Sequence, residues 1–115
     1  MTLHLTDANF EKEVATLGRS PTGEADKFVL VDFFATWCGP CNTLGPILEK
    51  VTEQFKDKVV LAKVNVDEAP IASQKFNVDK IPCIALLKNG KQINGFVGLV
   101  PENSIKEWLE NAIKE

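Results

Sequence analysis

The chain has 115 residues, of which 44% are apolar and 25% charged, and this composition is ordinary for one globular domain spanning residues 1–115. The net charge of −3 provides no basic surface, which argues against nucleic acid as a partner. No apolar stretch approaches the roughly 20 residues that cross a bilayer, and the N-terminus lacks the pattern of a signal peptide. We therefore predict a protein of the cell interior with no membrane partner, although a mature form left after cleavage would look the same.

Strand-like and helix-like patterns alternate along the chain, which indicates an α/β architecture. Continuous apolar runs at 28–35 and 59–66 are typical of strands buried on both faces. Asn89-Gly90, between two further apolar runs, predicts a β-hairpin. A polar loop with Gly and Pro occupies residues 18–27. Helical spacing of apolar residues predicts helices at 7–17, after residue 38, at 69–76, and at the C-terminus with Pro101 in its first turn.

Two cysteines follow the first buried strand in the sequence DFFATWCGPC, residues 32–41. At the start of a helix, Cys38 and Cys41 share one face and lie within reach of a disulfide. The unpaired N–H groups and the positive dipole end of a helix N-terminus favour a thiolate. Cys38 is the better placed, so we expect it to be the nucleophile and Cys41, deeper in the helix, to be the resolving thiol. Gly39 keeps the approach to the sulfur open, and Pro40 stiffens the turn.

Two other uses of the cysteine pair fit the sequence less well. A disulfide between such close residues closes a minimal loop and removes little entropy from the unfolded chain, so it is a poor staple. Zinc in a structural site takes four ligands. Cys83 is a candidate third ligand, but the single histidine, His4, is near the N-terminus and no fourth ligand is evident. We therefore expect no bound metal and a working redox couple.

One charged residue interrupts each of the two buried strands. Asp32 lies within the first apolar run, so burial should desolvate its carboxyl and raise its pKa. We expect it beneath the active-site turn, where it can accept the proton of Cys41 when that thiol attacks. Lys63, in the second run, is its candidate charge partner. The alternative is that each strand exposes one face and both charges are solvated.

The motif WCGPC at 37–41 resembles the active site of the thioredoxin family letter for letter. The similarity continues through VLVDFFA, VVLAKVNVDEAP, IPCIALLKNGK and GFVGLV. The resemblance implies an α/β thioredoxin fold, a central mixed sheet of five strands flanked by about four helices. It also implies a protein-disulfide reductase that binds no cofactor and receives electrons from NADPH through a thioredoxin reductase. Gly39-Pro40 matches the reducing members, whereas oxidant and isomerase relatives usually carry a histidine there.

The resemblance also assigns roles to individual residues. Cys38 and Cys41 match the nucleophilic and resolving cysteines. Asp32 and Lys63 match the buried aspartate and its lysine neighbour. The backbone of Ile81 would pair with a substrate strand by β-augmentation. The implied substrate-binding surface consists of Trp37 with its partner Asp67, Gly39, Pro40, Ile81, the cis-proline Pro82, and Gly98.

The chain departs from the family pattern at three places. Phe34 stands where many members carry a second tryptophan. The 18–27 loop is longer than usual, as a tolerated surface insertion would be. Cys83 follows the cis-proline where the family usually has threonine, and strand alternation points its side chain inward as a small buried hydrophobe. The alternative is an accessory redox thiol that traps Cys38 or Cys41 or tunes their potential.

These features predict a monomeric thiol–disulfide oxidoreductase that reduces protein disulfides, transports electrons and maintains redox homeostasis in the cytoplasm. Its predicted partners are thioredoxin reductase and disulfide-bonded proteins. The mitochondrial matrix is the alternative compartment, for a mature form. Two other functions stay open, namely an oxidant or isomerase of the same fold, and a binding or assembly subunit that keeps an intact WCGPC.

Overall fold

Strands and helices alternate along the chain, as the apolar spacing predicts. The computed structural model describes residues 2–16 and 27–114. Apart from Lys27, the predicted 18–27 loop lies outside the described residues, as does Leu17. The elements are, in chain order, β1 (Thr2–Leu5), α1 (Phe10–Thr16), β2 (Phe28–Phe34), α2 (Gly39–Gln54), β3 (Val59–Asn65), α3 (Pro70–Lys75), β4 (Cys83–Lys88), β5 (Lys91–Val97) and α4 (Glu102–Ala112).

The strands form one sheet in the order β1-β3-β2-β4-β5. β1 and β2 run parallel to β3, whereas β4 is antiparallel to β2 and β5 is antiparallel to β4. The sheet is therefore mixed, and the described helices lie on both of its faces, which confirms the predicted fold. β2 is the central strand, so the turn from β2 into α2 lies at the middle of the sheet edge, where open α/β sheets carry their functional sites.

Alternate residues of β2 supply the two faces of the sheet. Val29, Val31 and Phe33 belong to a buried cluster shared with α1 and α3, whereas Leu30 belongs to a second cluster shared with α2 and α4. The helices contribute to these clusters Phe10, Val14 and Ala72 on the first face, and Leu44, Leu48, Val51, Ile105 and Leu109 on the second. Burial on both faces explains the continuous apolar run of this strand. Asp32 is the one charged residue within it.

β1 was not predicted from the sequence pattern. It is an edge strand that pairs with β3 alone, from Thr2 opposite Leu61 to Leu5 opposite Val64. Leu3 and Leu5 pack on the cluster shared with α1 and α3. Two apolar residues in a four-residue segment give an alternation too short to recognise without its neighbouring strand.

The turn chemistry near the C-terminus was predicted with one small error. Asn89 and Gly90 connect β4 to β5 with φ values of 55° and 76°, the positive values that a type I′ hairpin turn requires. This confirms the predicted hairpin.

Pro101 is the N-cap of α4, with φ −60° and ψ 150°, and not a residue of its first turn. The extended backbone of this proline therefore ends the preceding loop and leads into the helix.

Candidate active site

The two cysteines lie where β2 leads into α2. Cys38 is the N-cap of α2, and Gly39 and Pro40 begin the helix. Cys38 and Cys41 form a disulfide with their Cα atoms 5.3 Å apart, so the structure shows the oxidised form. The backbone N–H of Cys41 donates a hydrogen bond to Cys38 Sγ over 3.2 Å. The sulfur of Cys38 therefore lies at a helix N-terminus, where the dipole and an N–H donor stabilise a thiolate.

Burial does not distinguish the two sulfurs. Cys38 is 6% exposed and Cys41 is 4% exposed, and both pack in a small cluster with Ala35. Val66 and Ile81 line the same cluster. Cys41 nevertheless lies deeper in α2 than Cys38, as predicted, because it is the third residue of the helix whereas Cys38 is the N-cap. What sets Cys38 apart is its position at the N-cap, because its sulfur accepts the hydrogen bond from a backbone N–H of the first turn.

Asp32 is buried without full hydrogen bonding. Asp32 is only 1% exposed, and its Oδ1 has no hydrogen-bond partner among the described residues. Desolvation raises the pKa of the Asp32 carboxyl to about 6, while the charge of Lys63 acts to lower it and that of Glu49 to raise it further. The predicted burial and the direction of the pKa shift are confirmed. The alternative of a solvated Asp32 is wrong, because both faces of β2 are covered.

Lys63 lies directly beside Asp32 on the neighbouring strand. The two residues are register partners in the parallel pairing of β2 with β3. Lys63 is half-buried, and its Nζ lies 4.8 Å from the centroid of the Phe34 ring. Its charge favours the ionised form of Asp32, as predicted, although the described residues include no ion pair between the two side chains.

Trp37 projects from the surface beside the cysteines. It is 70% exposed, and its Nε1 donates a hydrogen bond to Asp67 Oδ2 over 2.8 Å, which confirms the predicted contact. The backbone N–H of Asp67 in turn donates to Asn65 Oδ1 over 2.9 Å. We did not predict the part played by Asn65, although an asparagine at the end of a strand is a recognised signal for such a turn.

A second loop faces the cysteines across the edge of the sheet. The Ile81–Pro82 peptide bond is cis, as the resemblance implies, and Pro82 is buried while Ile81 packs on the cysteine cluster. The backbone N–H of Gly98 donates to the Pro82 carbonyl oxygen over 2.8 Å. Gly98 has φ +94°, a value that residues with a side chain rarely adopt. The turn after β5 is thereby tied to the loop that carries the cis-proline.

The backbone of Gly98 gives a prediction about stability. We expect Gly98→Ala to lower the free energy of unfolding by about 1–2 kcal/mol, because alanine is strained at a positive φ. Gly39→Ala is the matched control, since a Cβ at Gly39 would meet nothing within 4 Å and its φ is not positive. It should cause no loss of stability in urea unfolding. Equal losses for both variants would show that the φ of Gly98 is not the cause.

Cys83 is free and lies on the opposite face of the sheet from Asp32. It is half-buried against the cluster shared with α1 and α3, so the expectation of a fully buried side chain is corrected. The reason is its neighbour across the hairpin, Val97, which belongs to the edge strand β5 and is exposed. Burial raises the pKa of the Cys83 thiol, and the charges of Asp79 and Asp32 raise it further. Such a thiol is mostly protonated near neutral pH and is a weak nucleophile.

The donor set around the cysteines differs from that of a metal site. Among the residues that the structure describes, no group of three or more His, Cys, Asp and Glu side chains is arranged to hold a metal ion. His4 lies on the edge strand β1, and both sulfurs of the WCGPC motif are engaged in the disulfide. The chemistry that this site supports is the making and breaking of one disulfide.

A mixed five-stranded sheet with a disulfide-forming Cys-Gly-Pro-Cys at a helix N-terminus defines a thiol–disulfide oxidoreductase. A family model described as Thioredoxin matches residues 1–111. The chain belongs to the thioredoxin family and acts by dithiol–disulfide exchange.

Relatives that carry the same description resemble the chain over nearly its whole length. A protein named Thioredoxin from Rickettsia felis is 40% identical over 113 residues, which cover 98% of this chain and 100% of the relative. A Thioredoxin from Chlorobaculum thiosulfatiphilum is 38% identical over 94% of this chain and 93% of its own length. A Thioredoxin from Alicyclobacillus acidocaldarius is 38% identical over 98% of this chain and 99% of its own.

Proposed function

We propose that this protein is a reductase of protein disulfides and an electron carrier in the cytoplasm of a bacterium. The observation that carries the proposal is the position of the Cys38 sulfur at the N-terminus of α2. This sulfur forms the disulfide with Cys41 and accepts a hydrogen bond from the backbone N–H of Cys41. Gly39-Pro40 between the cysteines supports the reducing direction, because the resemblance associates this dipeptide with reducing members. The relatives are bacterial, which supports the cytoplasm and gives no support to the mitochondrial alternative.

In the first step, the Cys38 thiolate attacks one sulfur of a disulfide in the substrate protein. A bond forms between Cys38 Sγ and that sulfur, and the second substrate sulfur leaves as a thiolate. The helix N-terminus lowers the free energy needed to form the attacking thiolate, because the backbone N–H groups and the dipole favour the negative charge. The product is a mixed disulfide between Cys38 and the substrate.

In the second step, Cys41 resolves the mixed disulfide. Asp32 in its carboxylate form accepts the proton of Cys41, and the resulting thiolate attacks Cys38 Sγ. The bond to the substrate breaks, and the substrate leaves with both of its sulfurs reduced. Two electrons have passed from the cysteine pair to the substrate, and Cys38 and Cys41 are again joined. A carboxyl whose pKa is about 6 is matched to this task, since it is ionised near neutral pH and still basic enough to accept a proton.

The surface around the disulfide is proposed to dock the substrate. Trp37 offers an exposed aromatic face held by Asp67, and Gly39 leaves the approach to Cys38 open. Ile81, just before the cis-proline Pro82, offers its backbone to an extended substrate segment. We propose that these residues, together with Pro40 and Gly98, make up the substrate-binding surface near Cys38.

The oxidised protein needs electrons to act again. We propose that a thioredoxin reductase supplies them from NADPH and that the protein itself binds no cofactor. We further propose that residues 1–115 work as one domain and as a monomer, with the reductase and disulfide-bonded proteins as its partners. None of the described helices combines the length and the apolar character needed to cross a membrane.

The proposed sequence of steps can be tested by trapping the mixed disulfide. In Cys41→Ser, the first step is intact and the second is blocked, so we expect a stable covalent adduct with a peptide disulfide. Peptide mapping by mass spectrometry under non-reducing conditions should place the adduct on Cys38. The double variant Cys38→Ser/Cys41→Ser is the control and should form none. An adduct carried by Cys83 in place of Cys38 would contradict the proposal.

A further inference from the structure

The ammonium group of Lys63 is held between two elements that flank the active site. On one side, its Nζ lies 4.8 Å from the centroid of the Phe34 ring, at the end of β2. On the other side lies Gly45 of α2, where an added Cβ would be only 3.1 Å from the same nitrogen. The missing side chain of Gly45 therefore leaves the space that the ammonium occupies, and the ring provides the face beneath it.

This arrangement lies directly beside the buried carboxyl. Asp32 and Phe34 are two residues apart on β2, so their side chains project from the same face of the strand. Lys63 is the register partner of Asp32 on β3. The ring thus lies one step along the strand from the carboxyl. The lysine contacts the ring, and its charge acts on the carboxyl. Oδ1 of Asp32 has no hydrogen-bond partner in the described part of the chain. Desolvation is the largest influence on the pKa of this carboxyl, and the charge of Lys63 acts against it.

We propose that Phe34 is a positioning residue for the exchange reaction, which holds the Lys63 ammonium beside Asp32 by a cation–π contact in the space left by Gly45. The inference rests on the proposed role of Asp32 as the proton acceptor for Cys41. A lysine has a flexible four-carbon stem, and Lys63 is only half-buried, so its ammonium can also extend into solvent. The electron-rich face of an aromatic ring attracts a cation and favours the inward position.

The charged groups that act on Asp32 come from two elements. Lys63 on β3 favours the carboxylate, whereas Glu49 on α2 opposes it. The Asp32 carboxylate in turn raises the pKa of the Cys83 thiol on β4. Cys38 and Cys41 do not titrate while they are joined in the disulfide. The oxidised protein is therefore the form in which the effect of the ring can be measured without thiolates at the active site.

The test is a double-mutant cycle on the pKa of Asp32. The pKa is followed by carboxyl NMR in the oxidised wild type, in Phe34→Leu, in Lys63→Met and in the combined variant. We expect Lys63→Met to raise the pKa of Asp32. Phe34→Leu should also raise it, by no more than Lys63→Met does. In the combined variant, the pKa should equal that of Lys63→Met alone, because the ring acts only through the lysine. Phe34→Trp, which keeps an aromatic face, should retain the wild-type value.

Two outcomes would overturn the inference. One is an equal effect of Phe34→Leu with and without Lys63, which would mean that the ring acts by excluding water. The other is a wild-type pKa in Phe34→Leu, which would mean that the ammonium keeps its place without the ring. Reduction of a peptide disulfide by the wild type is measured in parallel. Absence of this activity would defeat the proposed function, whereas the pKa cycle alone decides the role of Phe34.

Discussion

Replacing Cys38 by serine is expected to bring the reduction of a protein disulfide down to the background rate. A hydroxyl at this position is not ionised near neutral pH, so no nucleophile remains at the N-terminus of α2 to attack the substrate. The rate is measured as appearance of free thiol groups in a substrate protein, with excess dithiol as the source of electrons. This is the largest effect on activity that the site predicts, since every later step needs the mixed disulfide at Cys38.

Cys83→Ser is the matched control for this experiment. It makes the same chemical change at a thiol whose pKa burial raises, and we expect it to retain most of the activity. A loss of activity in both variants would show that Cys83 belongs to the reaction. Full partner binding and full biological activity in Cys38→Ser would instead favour a binding or assembly role, in which the cysteines are not used.

Replacing Asp32 by asparagine is expected to stabilise the protein in a pH-dependent manner. The pKa of Asp32 is about 6 in the folded protein against an ordinary value of 3.8. At roughly 1.4 kcal/mol per pKa unit, burial of the ionised carboxylate costs about 3 kcal/mol. Between these two pKa values, the folded protein holds a proton that the unfolded chain has released. The wild type therefore loses stability as pH rises from about 4 to about 6.

The measurement is the free energy of unfolding of both proteins in urea at several pH values. The difference between Asp32→Asn and wild type should grow by about 2 kcal/mol between pH 4 and pH 7, because the variant has no carboxylate to bury. Comparing the change with pH removes any constant effect of the amide itself. A difference that stays the same across this range would contradict the burial of an ionised Asp32.

The chemistry of the active site was predictable because most of it is local in the sequence. A buried strand followed by helical spacing fixes Cys38 at a helix N-terminus, and the three-residue separation fixes the contact with Cys41. The burial of Asp32 follows from the apolar residues on either side of it in β2. These inferences need only the periods of strands and helices and the geometry of helix ends.

The parts that were missed depend on elements far apart in the sequence. β1 is too short to be recognised before β3 is known to pair with it. The half-burial of Cys83 depends on the exposure of Val97 on the far side of a hairpin. The contacts of Lys63 with Phe34 and Gly45 join β3, β2 and α2, so the spacing of residues in any one segment contains no sign of them.

The most direct test of the account is a redox titration of the whole protein, followed by tryptophan fluorescence, with every disulfide mapped by mass spectrometry. We predict one two-electron couple in which Cys38 and Cys41 are joined or both reduced, while Cys83 stays a free thiol throughout. The same titration on Cys83→Ala should give an unchanged midpoint. A bridge to Cys83, a midpoint that shifts in this variant, or a Cys38–Cys41 bond that dithiols do not reduce would contradict a reductase built on this cysteine pair.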